Sequence, residues 1–179
     1  MYKIINTIAR GKSVGYQFNK EGERITKLDI EKYGKKYSNK LSNLIKLYKL
    51  DEDKIYYRGI NNCEHFFKEN NIGFRTIYNK NMHKFVEYIN SNFKEKEIIE
   101  KGYVSTTTSY DVAKSYCSDY NGLILKIKAK KGVHALHIES MSVYGNEKET
   151  LFDKGTKFVV DSAEIKEGKP IINVIAESD

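Results

Sequence analysis

Residues 122–138 read GLILKIKAKKGVHALHI, and this stretch decides the fold class. From Leu123 to Ala129 an apolar residue stands at every second position, and lysines occupy positions 126 and 128 between them. Successive side chains of a β-strand point to opposite faces, so this alternation predicts a strand with one buried face. Lys131-Gly132 then predicts a turn into a second strand at 133–138.

The remaining C-terminal sequence carries further strand signals. The run 153–155, which reads Asp-Lys-Gly, predicts a hairpin turn between strands at 147–152 and 156–161. A β-branched run at 171–176 predicts a closing strand, with the Gly-Lys-Pro of 168–170 at the bend before it. The second half of the chain is therefore predicted to form a β-sheet.

The first half of the chain shows mainly helical spacing. Apolar residues recur every three to four positions at 38–50 and at 82–93, and each range predicts an amphipathic helix. Asn81 is the predicted N-cap of the second helix, and strands are predicted at 54–58 and 103–107. Because helices precede the strand-rich half rather than alternating with strands, the sequence predicts an α+β fold.

The length and composition predict a single globular domain over residues 1–179. With 40% hydrophobic and 12% aromatic residues, the chain can bury a core without disulfide bonds. Cys63 and Cys117 lack the spacing of a metal or redox motif and are predicted to be reduced thiols or buried small apolar residues. Since no apolar run approaches the ~20 residues of a membrane span and no signal peptide is recognisable, we expect a cytoplasmic protein.

The net charge of the chain favours an acidic partner. The formal charge is +7 and the pI is near 9.1, which would suit a nucleic acid, an anionic protein surface or a phosphorylated cofactor. The lysines are spread along the chain rather than gathered in one segment. Charge alone therefore does not choose among these partners.

Neither the histidine pair nor the Gly-Lys-Ser segment of the sequence matches a known metal-binding or nucleotide-binding motif. His134 and His137 lie three apart in a predicted strand, where odd spacing places them on opposite faces, so we expect no shared metal. The Gly-Lys-Ser of 11–13 is similar to the end of a phosphate-binding loop, but Asn6 stands where that loop requires glycine. No metal cofactor is therefore expected.

Three short segments carry the candidate chemistry. Residues 57–59, Tyr-Arg-Gly, close an aromatic strand, and residues 102–109, GYVSTTTS, form a hydroxyl-rich strand that leads to a short helix. Residues 147–149, Glu-Lys-Glu, open a predicted strand although glutamate forms strands poorly. The two carboxylates project from one face and repel each other. On its own, this pair would also fit a solvated strand edge.

In this order, the three segments resemble the Arg–Ser–Glu class of mono-ADP-ribosyltransferases, the bacterial toxin-like exoenzyme family. That family combines an aromatic-Arg strand, a Ser-Thr-Ser strand and a Glu-x-Glu or Gln-x-Glu pair. The resemblance covers about residues 38–160, with Thr107 in place of the last serine. It implies the ADP-ribosyltransferase-like fold, in which N-terminal helices pack on a mainly antiparallel split β-sandwich with a central NAD cleft.

The resemblance also implies NAD as co-substrate, without a metal, and it gives roles to individual residues. Glu149 would be the catalytic carboxylate that stabilises the oxocarbenium-like ribose as the nicotinamide bond breaks, and Ser105 would hold Glu149 in place. Arg58 would bind the NAD phosphate, and Gly59 would leave its backbone open to the nicotinamide amide. The implied NAD-binding set is completed by Thr106, Thr107 and Tyr116.

The same resemblance implies where the acceptor binds. Glu147 would act on the acceptor, because glutamate at this place accompanies transfer to arginine in the family. Tyr144, in the polar loop 139–146, would recognise the acceptor, although an ordinary turn aromatic fits the sequence equally well. For Tyr116, core packing at helical spacing is an equal alternative to a place beside the nicotinamide.

Transfer of ADP-ribose to a protein arginine is the leading hypothesis. Its variants transfer to a nucleic-acid base, which the positive charge would attract, or to water, as an NAD glycohydrolase. A non-enzymatic, basic nucleic-acid-binding module with stacking tyrosines is the remaining alternative, but it leaves Glu147 and Glu149 unexplained. The resemblance to toxins also suggests an antitoxin or immunity protein as a partner. It would act in the cytoplasm of the producer or, if delivered as an effector, of a target cell.

Overall fold

The computed structural model describes residues 17–18, 24–25, 27–61, 81–117, 122–138 and 149–177. Cys63, Tyr144 and Glu147 of the sequence analysis lie outside these ranges, as do Asn6 and residues 11–13. Within them, no helix combines the length and the hydropathy that crossing a membrane requires.

The described part of the chain contains the helices α1 (Lys27–Ile45), α2 (Met82–Asn92) and α3 (Tyr110–Ser115). The predicted cap of α2 is confirmed, because the Asn81 side chain accepts hydrogen bonds from the backbone N–H groups of His83 at 2.8 Å and Lys84 at 3.3 Å. Helix α3 begins after Ser109, whose hydroxyl accepts the Val112 N–H at 3.4 Å.

The helix predicted at 38–50 is wrong at both ends. Helix α1 begins earlier, at Lys27, and it ends at Ile45. It stops there because the chain turns into sheet pairing: Lys49 forms a β-bridge with His134, and the Leu50 N–H donates to the Val133 carbonyl at 2.9 Å. Leu50 is buried, but Leu47 is 77% exposed and Tyr48 is 51% exposed, so the apolar spacing over residues 46–50 does not continue a buried helical face.

The strands follow the predicted order along the chain, with β1, β2 and β4 as additions that the sequence analysis did not include. In chain order they are β1 (Gln17–Phe18), β2 (Arg24–Ile25), β3 (Lys54–Ile60), β4 (Glu97–Glu100), β5 (Val104–Thr107), β6 (Leu123–Ala129), β7 (Ala135–His137), β8 (Glu149–Phe152), β9 (Thr156–Lys166) and β10 (Lys169–Ala176). Strands β1 and β2 pair with each other, and the rest form one eight-stranded sheet in the order β4-β9-β10-β6-β3-β5-β8-β7.

The sheet is mainly antiparallel, as the resemblance implied. Among its pairings, β6 with β10 is parallel, and the others are antiparallel. Strands β3 and β5 are paired through one residue each, Tyr57 with Thr107, whereas β3 and β6 pair over seven residues. The sheet is therefore divided at this point into a five-stranded part and a three-stranded part, which accounts for the split expected of the fold.

Each helix covers a different apolar surface of the sheet. Phe85 and Ile89 of α2 belong to the largest core cluster, together with buried residues of strands in both parts of the sheet. Helix α1 contributes Ile45 to a cluster on the three-stranded part, and α3 contributes Ala113 to a cluster that includes Cys117. Cys117 is fully buried, so the prediction that it is a buried apolar residue is confirmed.

The fully buried Tyr103, directly before β5, links α1 to that strand. Its hydroxyl donates to the Ser38 carbonyl at 2.5 Å and lies 2.9 Å from the Ser38 hydroxyl and 3.0 Å from the Ser42 hydroxyl. Ser42 in turn donates to the Asp153 carboxylate at 2.6 Å. Because buried polar groups require partners, this network orients α1 against the start of β5 and the β8–β9 hairpin.

Candidate active site

Ser105 and Glu149 are joined across the antiparallel pair of β5 and β8. Thr107 lies opposite Glu149 and Ser105 lies opposite Leu151, so Ser105 and Glu149 are diagonal neighbours on one face of the pair. The Ser105 hydroxyl donates to Glu149 Oε1 at 2.5 Å. A hydroxyl that donates to a carboxylate gives a short, charge-assisted bond, which holds the Glu149 side chain in a fixed direction.

Arg58 lies on β3, in the other part of the sheet, and it also contacts Ser105. Its Nη1 donates to the Ser105 carbonyl at 2.9 Å, across the division between the two parts of the sheet. Its Nη2 lies 3.7 Å from Glu100 Oε2, and 17% of the Arg58 side chain is exposed. One residue, Ser105, therefore contacts both charged side chains, Arg58 through its carbonyl and Glu149 through its hydroxyl.

Glu100 is a charged residue of this region that the sequence analysis did not single out. It is 3% exposed, and it lies on the same face of β4 as the core residue Ile98. Its Oε1 accepts the Gly102 N–H at 3.3 Å. The signal was present in the sequence as a glutamate two positions after an apolar residue, but it becomes visible only once residues 97–100 are recognised as a strand.

Gly59 makes room for helix α3. A Cβ atom built at Gly59 would lie 2.0 Å from the Ala113 carbonyl oxygen and 3.0 Å from the Tyr116 Cβ. Real Cβ atoms do not approach backbone oxygen so closely, so glycine is required here for the helix to lie against β3. The sequence analysis gave a different reason for this glycine, the access of a ligand to the backbone.

Tyr116 lies beside Gly59 and is largely outside the core. It follows α3 directly and is 54% exposed, whereas its neighbour Cys117 is fully buried. The alternative of plain core packing is therefore wrong for Tyr116. Its Cβ lies next to Gly59, the residue that follows Arg58 in β3.

The two threonines that follow Ser105 are held differently. Thr106 is buried, and its hydroxyl donates to the Thr150 carbonyl at 2.8 Å, so alternation directs it to the opposite face of β5 from Ser105. Thr107 lies on the face of Ser105, and its Oγ1 accepts the Ser109 N–H at 3.1 Å at the start of the turn into α3. The structure thus brings Thr107, but not Thr106, to the side of Glu149.

Lys114 of α3 is bound to a carboxylate outside the candidate site. Its ammonium donates to Glu167 in the turn between β9 and β10, and this hydrogen bond raises the pKa of Lys114 and lowers the pKa of Glu167. Both side chains are well exposed, so the pair is screened by solvent.

Metal ligands do not cluster in the described residues. No group of three or more His, Cys, Asp or Glu side chains there is arranged to hold a metal ion. The His137 Nδ1 lies 2.7 Å from the Thr150 hydroxyl, and His134 lies opposite Lys49 in the β-bridge at the end of α1. The two histidines therefore have different neighbours, as their odd spacing predicted.

The family model of the ADP-ribosyltransferase exoenzymes matches residues 11–178 of the chain. A comparison with curated protein sequences gave no match. Among solved structures, the chain is similar to Plx2a, an ADP-ribosyltransferase toxin from Paenibacillus larvae, with a TM-score of 0.68 and 22% identity over 97% of this chain and 77% of that chain.

Two further solved structures show the same fold. C3stau2 from S. aureus, solved with NAD, has a TM-score of 0.68 and 20% identity, over 83% of this chain and 73% of that one. C3larvin toxin, an ADP-ribosyltransferase from Paenibacillus larvae, has a TM-score of 0.63 and 25% identity, over 99% of this chain and 87% of that one. The family match extends over nearly the whole chain and agrees with the split sheet and with the three motifs. The chain belongs to the ADP-ribosyltransferase exoenzyme family, whose members are mono-ADP-ribosyltransferases that use NAD as co-substrate.

Proposed function

We propose that the chain transfers ADP-ribose from NAD to an arginine side chain of a protein, with Glu149 as the catalytic carboxylate. The observation that carries this proposal is the bond from the Ser105 hydroxyl to Glu149, formed beside the guanidinium of Arg58. A carboxylate held rigidly near a phosphate-binding cation is what cleavage of a charged nucleotide requires.

Glu149 acts on the sugar. Breaking the bond between nicotinamide and ribose develops positive charge on the ribose, as glycoside cleavage does. A carboxylate that is already oriented stabilises this charge without reorganising during the reaction. Ser105 supplies the orientation, because its hydroxyl donates to one carboxylate oxygen and leaves the other oxygen for the ribose.

Arg58 binds the phosphate groups of NAD. A guanidinium presents a planar set of donors that matches phosphate oxygens, and the bond from Arg58 Nη1 to the Ser105 carbonyl holds that set beside Glu149. Tyr116, exposed beside Gly59, offers an aromatic surface on which the nicotinamide ring can stack. These residues fit NAD because they combine a cation, a fixed carboxylate and an aromatic face around one end of β3.

Glu147 selects arginine as the acceptor. It stands two positions before Glu149, and strand alternation would place the two carboxylates on one face. A carboxylate can orient a guanidinium through two parallel hydrogen bonds and accept its proton as the new bond to ribose forms. Tyr144, in the preceding loop, contributes to recognition of the protein that carries the arginine.

The acceptor separates this proposal from its alternatives. A nucleic-acid base is favoured by the net charge of +7, and water is favoured if no acceptor occupies the site. The Glu147–Glu149 pair favours a guanidine, whose positive charge a second carboxylate attracts, over a nucleic-acid base, whose flanking phosphates it would repel. A protein arginine is therefore the acceptor that the charges of the site favour.

The acceptor is tested by incubating the protein with NAD labelled on its adenine, together with a mixed protein extract, a small guanidine or RNA. We expect label in protein and on the small guanidine, and mass spectrometry should place it on arginine. Glu147→Gln should abolish this transfer while some nicotinamide release persists. Glu97→Gln, an exposed glutamate paired with Lys157, serves as the matched control and should behave like the unmodified protein. Label on RNA alone, or full transfer by Glu147→Gln, would contradict the proposal.

A further inference from the structure

Glu100 lies on the buried face of β4, where an apolar side chain is expected. In β4, Ile98 and Glu100 face inward while Glu97 and Ile99 are exposed. Ile98 is part of the main core, and Glu100 continues the same row with only 3% of its surface exposed. Burying a carboxylate costs several kcal/mol unless it is paired, so a glutamate at this place needs a partner of opposite charge.

Arg58 is the cation that Glu100 faces. The Arg58 Nη2 lies 3.7 Å from Glu100 Oε2, and the second carboxylate oxygen accepts the Gly102 N–H. The other terminal nitrogen of Arg58 donates to the Ser105 carbonyl. The guanidinium is thus contacted on two nitrogens by groups that belong to one continuous segment, residues 100–105.

We propose that Glu100 is a positioning residue for Arg58, which holds the guanidinium in the orientation that binds the NAD phosphate. This inference rests on the proposed function, in which Arg58 is the phosphate ligand. Glu100 and the Ser105 carbonyl fix the guanidinium plane from two sides, so less conformational freedom is lost when the phosphate binds. The same segment carries the Ser105 hydroxyl, so the directions of Arg58 and Glu149 are set together.

A positioning role predicts a specific kinetic pattern. Arg58 contacts a phosphate that is present both before and during the reaction, so disorder in Arg58 weakens binding of substrate and of transition state alike. Such a change raises KM for NAD while kcat stays nearly the same. Loss of Glu149, in contrast, lowers kcat.

Glu100→Gln tests this pattern, because glutamine keeps the size of the side chain and can still accept the Gly102 N–H, but carries no charge. We expect KM for NAD to rise about 10-fold and kcat to remain within about 3-fold of the unmodified protein. Glu97→Gln on the same strand is the control and should leave both constants unchanged. An unchanged or lowered KM in Glu100→Gln would overturn the inference.

A double-mutant cycle shows whether Glu100 acts through Arg58. If it does, Glu100→Gln combined with Arg58→Gln should bind NAD no more weakly than Arg58→Gln alone, as measured by calorimetry. If the losses of the two single variants simply add, Glu100 affects NAD binding by another route and the inference is wrong.

A measurement on the NAD-free protein separates this inference from the proposed function. Nitrogen-15 NMR of the arginine side chains should show slowed rotation of the Arg58 guanidinium, assigned by its loss in Arg58→Gln, and Glu100→Gln should restore fast rotation. If the unmodified protein binds no NAD but Arg58 is held by Glu100, the proposed function fails and the contact stands. If Arg58 rotates equally fast in both proteins, the positioning role is refuted.

Discussion

Tyr57 and Thr107 form the single residue pair through which β3 meets β5, and the candidate site is assembled around that pair. Arg58 follows Tyr57, Ser105 precedes Thr107 by two residues, and Glu149 lies opposite Thr107 on β8. The division of the sheet thus brings a cation from one part and a carboxylate from the other to the same serine. The candidate site therefore lies where two strands of the sheet pair through one residue each.

Ser105→Ala removes the hydroxyl that donates to Glu149 and leaves the carbonyl that accepts from Arg58. We expect nicotinamide release to fall about 10- to 100-fold, the usual cost of losing a group that orients a catalytic residue. The affinity for NAD should change little, since Arg58 keeps its partner. Ser115→Ala, which removes an exposed hydroxyl bonded to the Val112 carbonyl, is the control. Full activity of Ser105→Ala would show that Glu149 is oriented by something else.

Gly59→Ala forces α3 away from β3, because its Cβ would lie 2.0 Å from the Ala113 carbonyl oxygen. The free energy of unfolding should fall by about 1–3 kcal/mol, and nicotinamide release should fall with it as Tyr116 moves. Gly155→Ala is the control: it has open space but a positive φ of 77°, so it should lose about 1–2 kcal/mol of stability and keep its activity. Urea denaturation measures the stability of both variants, and the rate of nicotinamide release from NAD measures their activity. Full activity of Gly59→Ala would contradict the explanation given for this glycine.

Tyr103→Phe removes the hydroxyl that joins α1 to the start of β5. The Ser38 carbonyl loses a buried donor, so the free energy of unfolding should fall by about 1–3 kcal/mol in urea denaturation. Tyr48→Phe, on a half-exposed tyrosine just beyond α1, should change it by less than about 0.5 kcal/mol. Equal stability of the two variants would mean that α1 is held by apolar contacts alone.

The stability of the protein should decrease at alkaline pH because of buried tyrosines. Burial raises the pKa of Tyr56 above its ordinary value of 10.0, and burial also raises the pKa of Tyr110. The native state then holds these protons more tightly than the unfolded state, so their contribution is complete below pH 10 and is lost as pH rises through the native pKa. Tyr56→Phe should make the decline of the urea midpoint above about pH 10 shallower. An unchanged decline would argue against burial of an ionisable phenol there.

Local signals in the sequence were sufficient to predict many elements of the fold and to single out candidate site residues. The N-cap at Asn81, the hydroxyl-rich strand before Ser109 and the alternation from Leu123 to Ala129 each depend on residues close in sequence, and the structure confirms all three elements. Arg58, Ser105 and Glu149 were proposed as site residues because their motifs are short and ordered, and the structure brings the three together. Their contacts, however, cross the sheet.

Features that depend on pairing between distant segments could not be predicted. The parallel pairing of β6 with β10 and the single contact between β3 and β5 have no signature in either strand alone. Helix α1 ends at Ile45 because Lys49 pairs with His134, far along the chain. The burial of Glu100 follows from the pairing of β4 with β9, so its partnership with Arg58 was also hidden.

The central claim, that Glu149 is the catalytic carboxylate of an NAD site, is tested most directly by the rate of nicotinamide release from Glu149→Gln. Glutamine preserves the shape of the side chain and can still accept the Ser105 hydroxyl, but it cannot neutralise positive charge on the ribose. We predict that this variant binds NAD with nearly the affinity of the unmodified protein and releases nicotinamide about 1000-fold more slowly. If Glu149→Gln binds NAD with an affinity within about 3-fold of the unmodified protein and also releases nicotinamide within about 3-fold of the unmodified rate, the account is contradicted.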